Sequence, residues 1–459
     1  VRQESAVRSW LPHLPFLGDN SPLVRGMNPA VLVAGSFFLL ILLGGFLLHC
    51  DWAVTVPVTW SDALFTATSA VTVTGLGVVD TGTRFTLAGQ MVIMVLMQLG
   101  GIGIMTFAAL ALLLLGHELG IGEQRLVREA MNHTRVADLG WLVKRIVQLV
   151  LVIELVGAML LATILVPDMG LGAGLFQSLF YSISAFNNAG FALAPDNLMG
   201  WAGDWPMALV TGGLIVTGGL GFTVLAELRA RTPWLRLSLH SKLMLTGTAA
   251  LLLLTFVVFL LCEWNNPATL GPHTLSAKLS IGFFHAITPR TAGFNMVDIA
   301  GMSLAVTLLY IVLMFIGAGT NSTGSGIKVT TFMVLLLTTR DFLRGRTTPA
   351  VFGRRVPPGI VLKSLAIVFI AMMVVIAGLF ALTLTDARLG FLNLFFEVVS
   401  AFGTVGLSRG ITGMLSEPGR FTIMVVMFVG RIGPLTLVFL LARPQLQRIR
   451  YPEGDIHIG

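Results

Sequence analysis

The stretch SAFNNAGF, Ser184 to Phe191, decides the fold, because the chain carries it in four versions. The others are SAVTVTGLG (Ser69 to Gly77), PRTAGFN (Pro289 to Asn295) and SAFGTVGLS (Ser400 to Ser408). Aligned on Gly75, Gly190, Gly293 and Gly406, they stand 115, 103 and 113 residues apart, and three of the four carry Ser-Ala six and five residues before the glycine. Each follows a short apolar stretch and precedes a long one. Internal repetition is the first thing to settle in a fold. A small-residue loop written fourfold in an apolar chain predicts four loops meeting on one axis, and loops meeting on an axis make a pore.

The surrounding chain is apolar enough for a membrane. Of 459 residues, 55% are hydrophobic and 11% charged, with a mean hydropathy of +0.88, whereas soluble domains carry about 25% charged residues. Apolar runs near the length of a spanning helix recur throughout. They predict spans near 30–49, 88–116, 141–166, 205–227, 241–262, 302–338 (broken), 360–384 and 419–442. Shorter apolar pieces near 61–72, 172–186, 276–288 and 390–402 cannot cross about 30 Å of hydrocarbon at about 1.5 Å per residue. No stretch is long and polar enough for a separate soluble domain, and the opening VRQESAVRSW lacks the apolar core of a secretory signal.

Eight crossings put both termini on one side, together with 21 of the 29 Lys and Arg residues. The positive-inside rule makes that side cytoplasmic, so the four loops open outward. The formal charge of +7 is thus a membrane-topology signal and not a nucleic-acid footprint. The expected fold is an all-α membrane protein. It has four tandem helix–pore-helix–loop–helix repeats around a pseudo-fourfold pore and eight transmembrane spans. The expected divisions are a cytoplasmic arm (1–28), repeat 1 (29–116), a basic connector and repeat 2 (117–230), and repeat 3 with an intramembrane loop (231–340). A basic connector and repeat 4 (341–443) and a cytoplasmic tail (444–459) follow. Cys50 and Cys262, ending the first spans of repeats 1 and 3, are diagonal in such a ring and too far apart to bridge; free thiols are expected.

Irregular backbone is tolerated at membrane depth only when buried in protein or lining water. Four converging loops can aim carbonyl oxygens inward and replace the hydration shell of a weakly hydrated cation such as potassium. Glycine suits such a loop because inward carbonyls need φ > 0. The short helices would point their partially negative C-terminal ends at the same place, and Pro289 marks the helix stop in repeat 3. The candidate ion-binding residues are Thr72, Val73, Thr74 and Gly75; Asn187, Asn188, Ala189 and Gly190; Arg290, Thr291, Ala292 and Gly293; Gly403, Thr404, Val405 and Gly406. None is acidic, so main-chain oxygens would coordinate. Arg290 is hostile to a cation unless its side chain points away and holds neighbouring carbonyls, the reading preferred here.

The loops, the GRIGPLT segment and the interrupted third-repeat helix resemble the Ktr/Trk/HKT superfamily of potassium transporters, over roughly Asn28 to Ala442. Lacking an extra N-terminal helix pair, the chain is most similar to the bacterial Ktr membrane subunit. The resemblance implies a single-file potassium path in one subunit of a bacterial inner membrane, a homodimer, and a cytoplasmic nucleotide-binding ring that gates it. Potassium is then the cargo, sodium a candidate activator or co-ion, and no organic cofactor is expected.

Two further features read as a gate. Between Gly317 and Lys328, GAGTNSTGSGIK interrupts the second span of repeat 3 with Gly317, Gly319, Gly324 and Gly326 and with Thr320, Asn321, Ser322, Thr323 and Ser325. Helix there is disfavoured by roughly 1 kcal/mol per glycine relative to alanine. The segment is expected to be a mobile plug below the filter, where the family has an intramembrane gating loop; a static kink is the alternative. Arg431 lies in the apolar run FVGRIGPLTL, replacing the second glycine of GGIG (100–103) and GGLG (218–221). A charge at such depth costs at least about 2.5 kcal/mol. It would repel passing ions or tether the 317–327 segment; the alternative is an ion pair with Glu397. Lys328 is either a loop anchor or a lipid-facing side chain. Glu154, mid-span and isolated, is expected to make a structural hydrogen bond. The basic segments over 122–145 and 340–363 suit anionic lipid heads, and the resemblance adds docking of the regulatory ring. A sodium-coupled or sodium-selective transporter on the same scaffold is the competing reading. A membrane enzyme is disfavoured, since no acids, histidines or nucleophile cluster at one depth.

Overall fold

Thr59 shows how a short helix starts beside a long one. Its hydroxyl accepts from Asp62 N, and the Asp62 carboxylate accepts from Thr59 N, a reciprocal capping box that satisfies two otherwise orphaned backbone donors. A computed structural model of the chain describes residues 29–114, 139–346 and 349–433. In it a long helix, a short helix, a glycine loop and a second helix follow one another four times.

The first set is α1 (Pro29–His49), α2 (Trp60–Val71), a single turn α3 (Thr81–Arg84) and α4 (Leu87–Leu114). The second is α5 (Leu139–Met169), α6 (Leu171–Phe186), α7 (Trp205–Leu220) and α8 (Phe222–Arg229). The third is α9 (Leu239–Glu263), α10 (Leu275–Ile287), α11 (Leu304–Ile316) and α12 (Val329–Leu343). The fourth is α13 (Pro358–Thr385), α14 (Phe391–Gly403) and α15 (Glu417–Ile432). The arm over 1–28, the connector over 115–138, residues 434–443 with the end of GRIGPLT, and the tail over 444–459 lie outside the described residues.

Lys144–Met169, Leu239–Glu263 and Pro358–Thr385 are each long and apolar enough to cross a membrane, and α7 with α8 makes a fourth if counted as one span. The exterior agrees with a lipid solvent. Leu39, Leu253, Leu261, Leu362, Phe369, Phe380 and Leu384 are all exposed, large apolar side chains displayed on three long helices as a lipid solvent allows. The interior is aromatic, with Tyr181, Phe186, Phe284, Phe294, Tyr310, Phe396 and Phe402 fully enclosed.

Two features depart from the sequence expectation. The region 205–227 is not one continuous helix: Gly221, at φ 92°, bends α7 from α8 by 104°. The bend makes room for the third repeat, since Phe222 N donates to Asn321 O at 2.9 Å. In addition, the chain is not purely helical. Ala350–Val351 (β1) pairs with Arg354–Arg355 (β2) through a turn in which Phe352 and Gly353 have φ of 51° and 72°.

The sets are tied together on the loop-opening side. Arg420 on α15 meets Asp62 on α2 at 2.9 Å. Arg409, after the fourth loop, donates to Thr307 Oγ1 at 2.9 Å and to Ala300 O at 3.0 Å in the third set. Leu198 N donates to Asn295 O at 3.1 Å, joining the second set to the third. Cys50 and Cys262 are free thiols.

Glycine placement also sets helix contact. A Cβ on Gly100 would strike Val71 O, one on Gly218 would strike Phe186 O, and one on Gly430 would strike Phe402 O. In three sets, then, the second long helix lies directly on the last turn of the short one. We predict that Gly218→Ala lowers the melting temperature of the purified protein, by overpacking of about 1–3 kcal/mol. Gly213→Ala, inside the same helix and where an added Cβ meets nothing within 4 Å, should leave it unchanged or raise it. Equal melting temperatures for the two variants would refute this contact.

Candidate functional site

The four loops leave their short helices in the same way. Thr74 N donates to Ser69 O at 2.8 Å, Ala189 N to Ser184 O at 2.7 Å and Val405 N to Ser400 O at 2.8 Å; in the third loop Ala292 N donates to Thr288 O at 3.1 Å. These N–H groups fold back onto the helix ends. One residue before each of them, Val73, Asn188, Thr291 and Thr404 have φ of 57°, 57°, 69° and 46°. One residue after, Gly75, Gly190, Gly293 and Gly406 have φ of 89°, 69°, 75° and 89°. A non-glycine residue in the left-handed region costs on the order of 1–3 kcal/mol and persists only where its surroundings enforce it. Its recurrence at one register position in four loops is a built feature.

The loops also interlock. A Cβ on Gly190 would stand 2.8 Å from Gly293 Cα, one on Gly293 would stand 2.6 Å from Val405 O, one on Gly406 would stand 3.1 Å from Gly75 Cα, and one on Gly75 would stand 3.0 Å from Gly190 Cα. Gly75 abuts Ala189 O, Gly190 abuts Ala292 O, Gly293 abuts Val405 O and Gly406 abuts Thr74 O. Each glycine thus faces the carbonyl that precedes the next loop's glycine, and the fourth returns to the first. Glycine is required twice over, by φ and by the neighbour's backbone.

The candidate side chains divide around this ring of backbone. Thr72 Oγ1 bonds Thr68 O at 2.6 Å and Thr74 Oγ1 at 2.8 Å, within its own loop. Asn188 and Thr291 meet amide to hydroxyl at 3.1 Å, linking loops 2 and 3. Asn187 turns its amide behind the loop, toward Gln98 and Glu154. Arg290, also buried, points to Thr248 Oγ1 on α9 at 3.3 Å; its partner is a hydroxyl and not the neighbouring carbonyls expected. Ser184 Oγ donates to Phe191 O at 2.8 Å, and in the third loop, which lacks Ser-Ala, the Thr288 hydroxyl makes the equivalent bond to Phe294 O. That stand-in was hidden in the sequence because it lies one register position later.

Residues 317–328 form a non-helical strap between α11 and α12. Gly317, Asn321 and Gly326 have φ of 62°, 61° and 73°. Gly319 N donates to Gly219 O at 2.9 Å, Thr323 N to Gly218 O at 3.3 Å, and Thr323 Oγ1 to Phe186 O at 3.2 Å. Ser322 Oγ bonds Gly319 O, and Thr320 pairs with Thr330. A Cβ on Gly324 would strike Thr291 Oγ1, so the strap reaches the third glycine loop.

Arg431 holds the strap from the opposite side. Its guanidinium donates to Thr323 O and to Ser325 Oγ (3.3 Å), and also to Gly100 O and Gly101 O (3.4 Å). It therefore joins α15, α4 and the strap. The alternative pairing with Glu397 is not made, since that carboxylate accepts from Ser408 Oγ at 2.8 Å and from the Thr412 hydroxyl. Lys328 Nζ donates to Gly324 O at 2.7 Å, placing it as a loop anchor. Gly100 and Gly101, seen in the sequence only as the GGIG counterpart of GRIG, supply half of the acceptors for Arg431.

Residues 42–450 match the family model described as TrkH, cation transport protein. The chain is 48% identical over 436 residues to the Ktr system potassium uptake protein B of Bacillus subtilis, covering 95% of this chain and 98% of that one. It is 46% identical to the protein of the same name from Vibrio alginolyticus, over 90% of this chain and 93% of that one. It is 35% identical to the potassium/sodium uptake protein NtpJ of Enterococcus hirae, over 95% and 98%. The crystal structure of the potassium transporter TrkH from Vibrio parahaemolyticus superposes with a TM-score of 0.73 at 21% identity, over 92% of this chain and 87% of that one, and so shares its fold. A helical chain with an apolar exterior, matched to one family model along most of its length, is a membrane transporter and not an enzyme: it belongs to the TrkH family of cation transport proteins.

Proposed function

We propose that this chain is the potassium-translocating subunit of an uptake system in a bacterial inner membrane. The carrying observation is the closed interlock of Gly75, Gly190, Gly293 and Gly406, each beside the carbonyl of a residue that turns its own N–H back onto a helix end. Main-chain oxygens held this way strip water from a weakly hydrated monovalent cation at little reorganisation cost. The short-helix C-termini at Val71, Phe186, Ile287 and Gly403 add partial negative charge at the same place. The fold then reads as eight spans and four pore helices around one path, with both termini cytoplasmic. The relatives named as potassium uptake proteins support the ion, and their naming as part of a Ktr system supports a partner subunit, here a cytoplasmic nucleotide-binding ring. A homodimer in contact with membrane lipids completes the reading. Uptake should restore growth of potassium-uptake-deficient cells in low potassium, and Gly293→Ser should reduce it by at least about tenfold, since a side chain at φ > 0 against Val405 O displaces two loops. Normal uptake by that variant at normal abundance would remove the ring from the ion path.

Sodium use is the second reading, favoured by the relative named as a potassium/sodium uptake protein. Potassium uptake measured with and without sodium separates co-transport or activation from independence.

The strap 317–328 is the gate in this reading. It lies against the third loop through Gly324 and Thr291, and it is held by hydrogen bonds to α7, α15 and its own Lys328. Deleting 318–325 should raise potassium flux; unchanged or lower flux with normal expression would count against a gate. Arg431→Ala removes its charge-assisted bonds. In a Cys50→Ser, Cys262→Ser background, it should raise the labelling rate of Ser325→Cys by a water-soluble thiol reagent by about tenfold, the equivalent of one such bond. An unchanged rate would show that Arg431 does not restrain the strap.

A further inference from the structure

The strongest polar construction outside the ring lies behind the second loop. Three side chains from three elements close on one another there. Asn187 Nδ2 donates to Glu154 Oε1 at 2.9 Å and to Gln98 Oε1 at 2.8 Å, while Gln98 Nε2 donates to Glu154 Oε2 at 2.9 Å. Gln98 comes from α4, Glu154 from α5 and Asn187 from the loop itself. The Glu154 side chain is almost fully enclosed, at 3% exposure, and Asn187 is at 0%. A carboxylate buried at such depth is costly unless its oxygens are hydrogen-bonded, and among the described residues its partners are neutral amides.

The chemistry of the three groups is matched. An ionised carboxylate only accepts, so it can receive an N–H from both amides at once; an amide in its place would turn one N–H against another. The backbone reinforces the arrangement: Ser182 Oγ on α6 donates to Glu154 O at 2.6 Å. Gly101 supplies the space, since a Cβ there would stand 2.5 Å from Asn187 Cγ. Asn187 is also the residue directly before left-handed Asn188, and Ala189 O, two residues on, abuts Gly75. Asn187 Nδ2 and Thr72 Oγ1 both bond the carbonyl four residues back, Ile183 O at 2.9 Å and Thr68 O at 2.6 Å, but Thr72 adds only Thr74 of its own loop, and Arg290 goes to Thr248 on α9. Only Asn188 separates the locked side chain from the residue that bears the ring carbonyl, so a rotation at Asn187 moves that oxygen.

Resting on the reading of the four loops as an ion filter, we infer that Glu154, with Gln98, is a positioning residue that fixes the second loop through Asn187 and thereby sets potassium-over-sodium discrimination. Glu154 touches no ion in this scheme; it acts by holding one side chain in one orientation.

The test uses the full chain. Uptake of potassium and of sodium is measured in potassium-uptake-deficient cells, and the melting temperature of the purified protein is measured in potassium, sodium and choline chloride. Glu154→Gln should lower the potassium-to-sodium uptake ratio by about tenfold, as expected when a buried N–H is left facing another N–H. It should also shrink the difference in melting temperature between potassium and sodium, because specific ligand binding to the folded state is what separates those salts. The melting temperature in choline should fall by the cost of the unpaired buried donor alone, so the potassium-against-sodium difference, which a merely structural residue would not move, is the readout. If Glu154→Gln fails to accumulate, Gln98→Leu is read by the same ratio. Gly190→Ser is the control: if it too leaves the ratio unchanged, the filter reading fails. If it shifts the ratio while Glu154→Gln and Gln98→Leu do not, the positioning role is overturned.

Discussion

The whole architecture depends on backbone meeting backbone without a side chain between. Four Cα atoms carry nothing, and each lies against the carbonyl of the next loop. Nothing else allows four chain segments to approach so closely in the same plane, and any Cβ would have to enter a space already held by a peptide group. The long helices follow from this constraint. Gly100, Gly218 and Gly430 bring the second helices directly onto the last turns of the short ones, because those turns must end where the loops converge.

A second tier of polar contacts holds the loops from outside. Each loop is anchored by a different chemistry: a threonine pair, an amide-and-carboxylate triad, an arginine on a hydroxyl, and Glu397 beside Ser408 and Thr412. The four loops share one pattern of φ and of backbone hydrogen bonding while their supports differ. Duplicated segments need to keep only the main-chain path, and the side chains behind it are free to diverge so long as each buried group finds partners. The strap shows the same economy of means, since Arg431 spends its donors on carbonyls and one hydroxyl, groups that any sequence can offer.

Much of this was legible in the sequence because glycine and apolar run length are strong signals. The loops were found from Gly75, Gly190, Gly293 and Gly406 alone, and the short helices fell within a residue or two of Trp60–Val71, Leu171–Phe186, Leu275–Ile287 and Phe391–Gly403. The interruption at 317–328 was visible from its glycines and hydroxyls. What stayed hidden depends on partners distant in sequence. The bend at Gly221 looks like one more small residue in an apolar helix until Asn321 O is placed beside Phe222 N. Asn187 reads as a ring residue, yet its side chain serves Glu154. No local pattern could choose between Glu397 and a set of carbonyls for Arg431, because that choice is made by four elements at once.

The contact that joins the last set to the first has a consequence for how the molecule is made. Arg420 and Asp62 are 358 residues apart, and Gly406 closes against Thr74 over nearly the same span. Domains emerge from the ribosome N-terminus first, and pairings this remote carry a large closure entropy. A nascent chain that stops short of Phe391 has its first and third loops open on one side, with the backbone of Val405 and Gly406 still missing. Only the arrival of the final quarter completes the circle, so a truncated or stalled product keeps its ring of glycine loops unclosed.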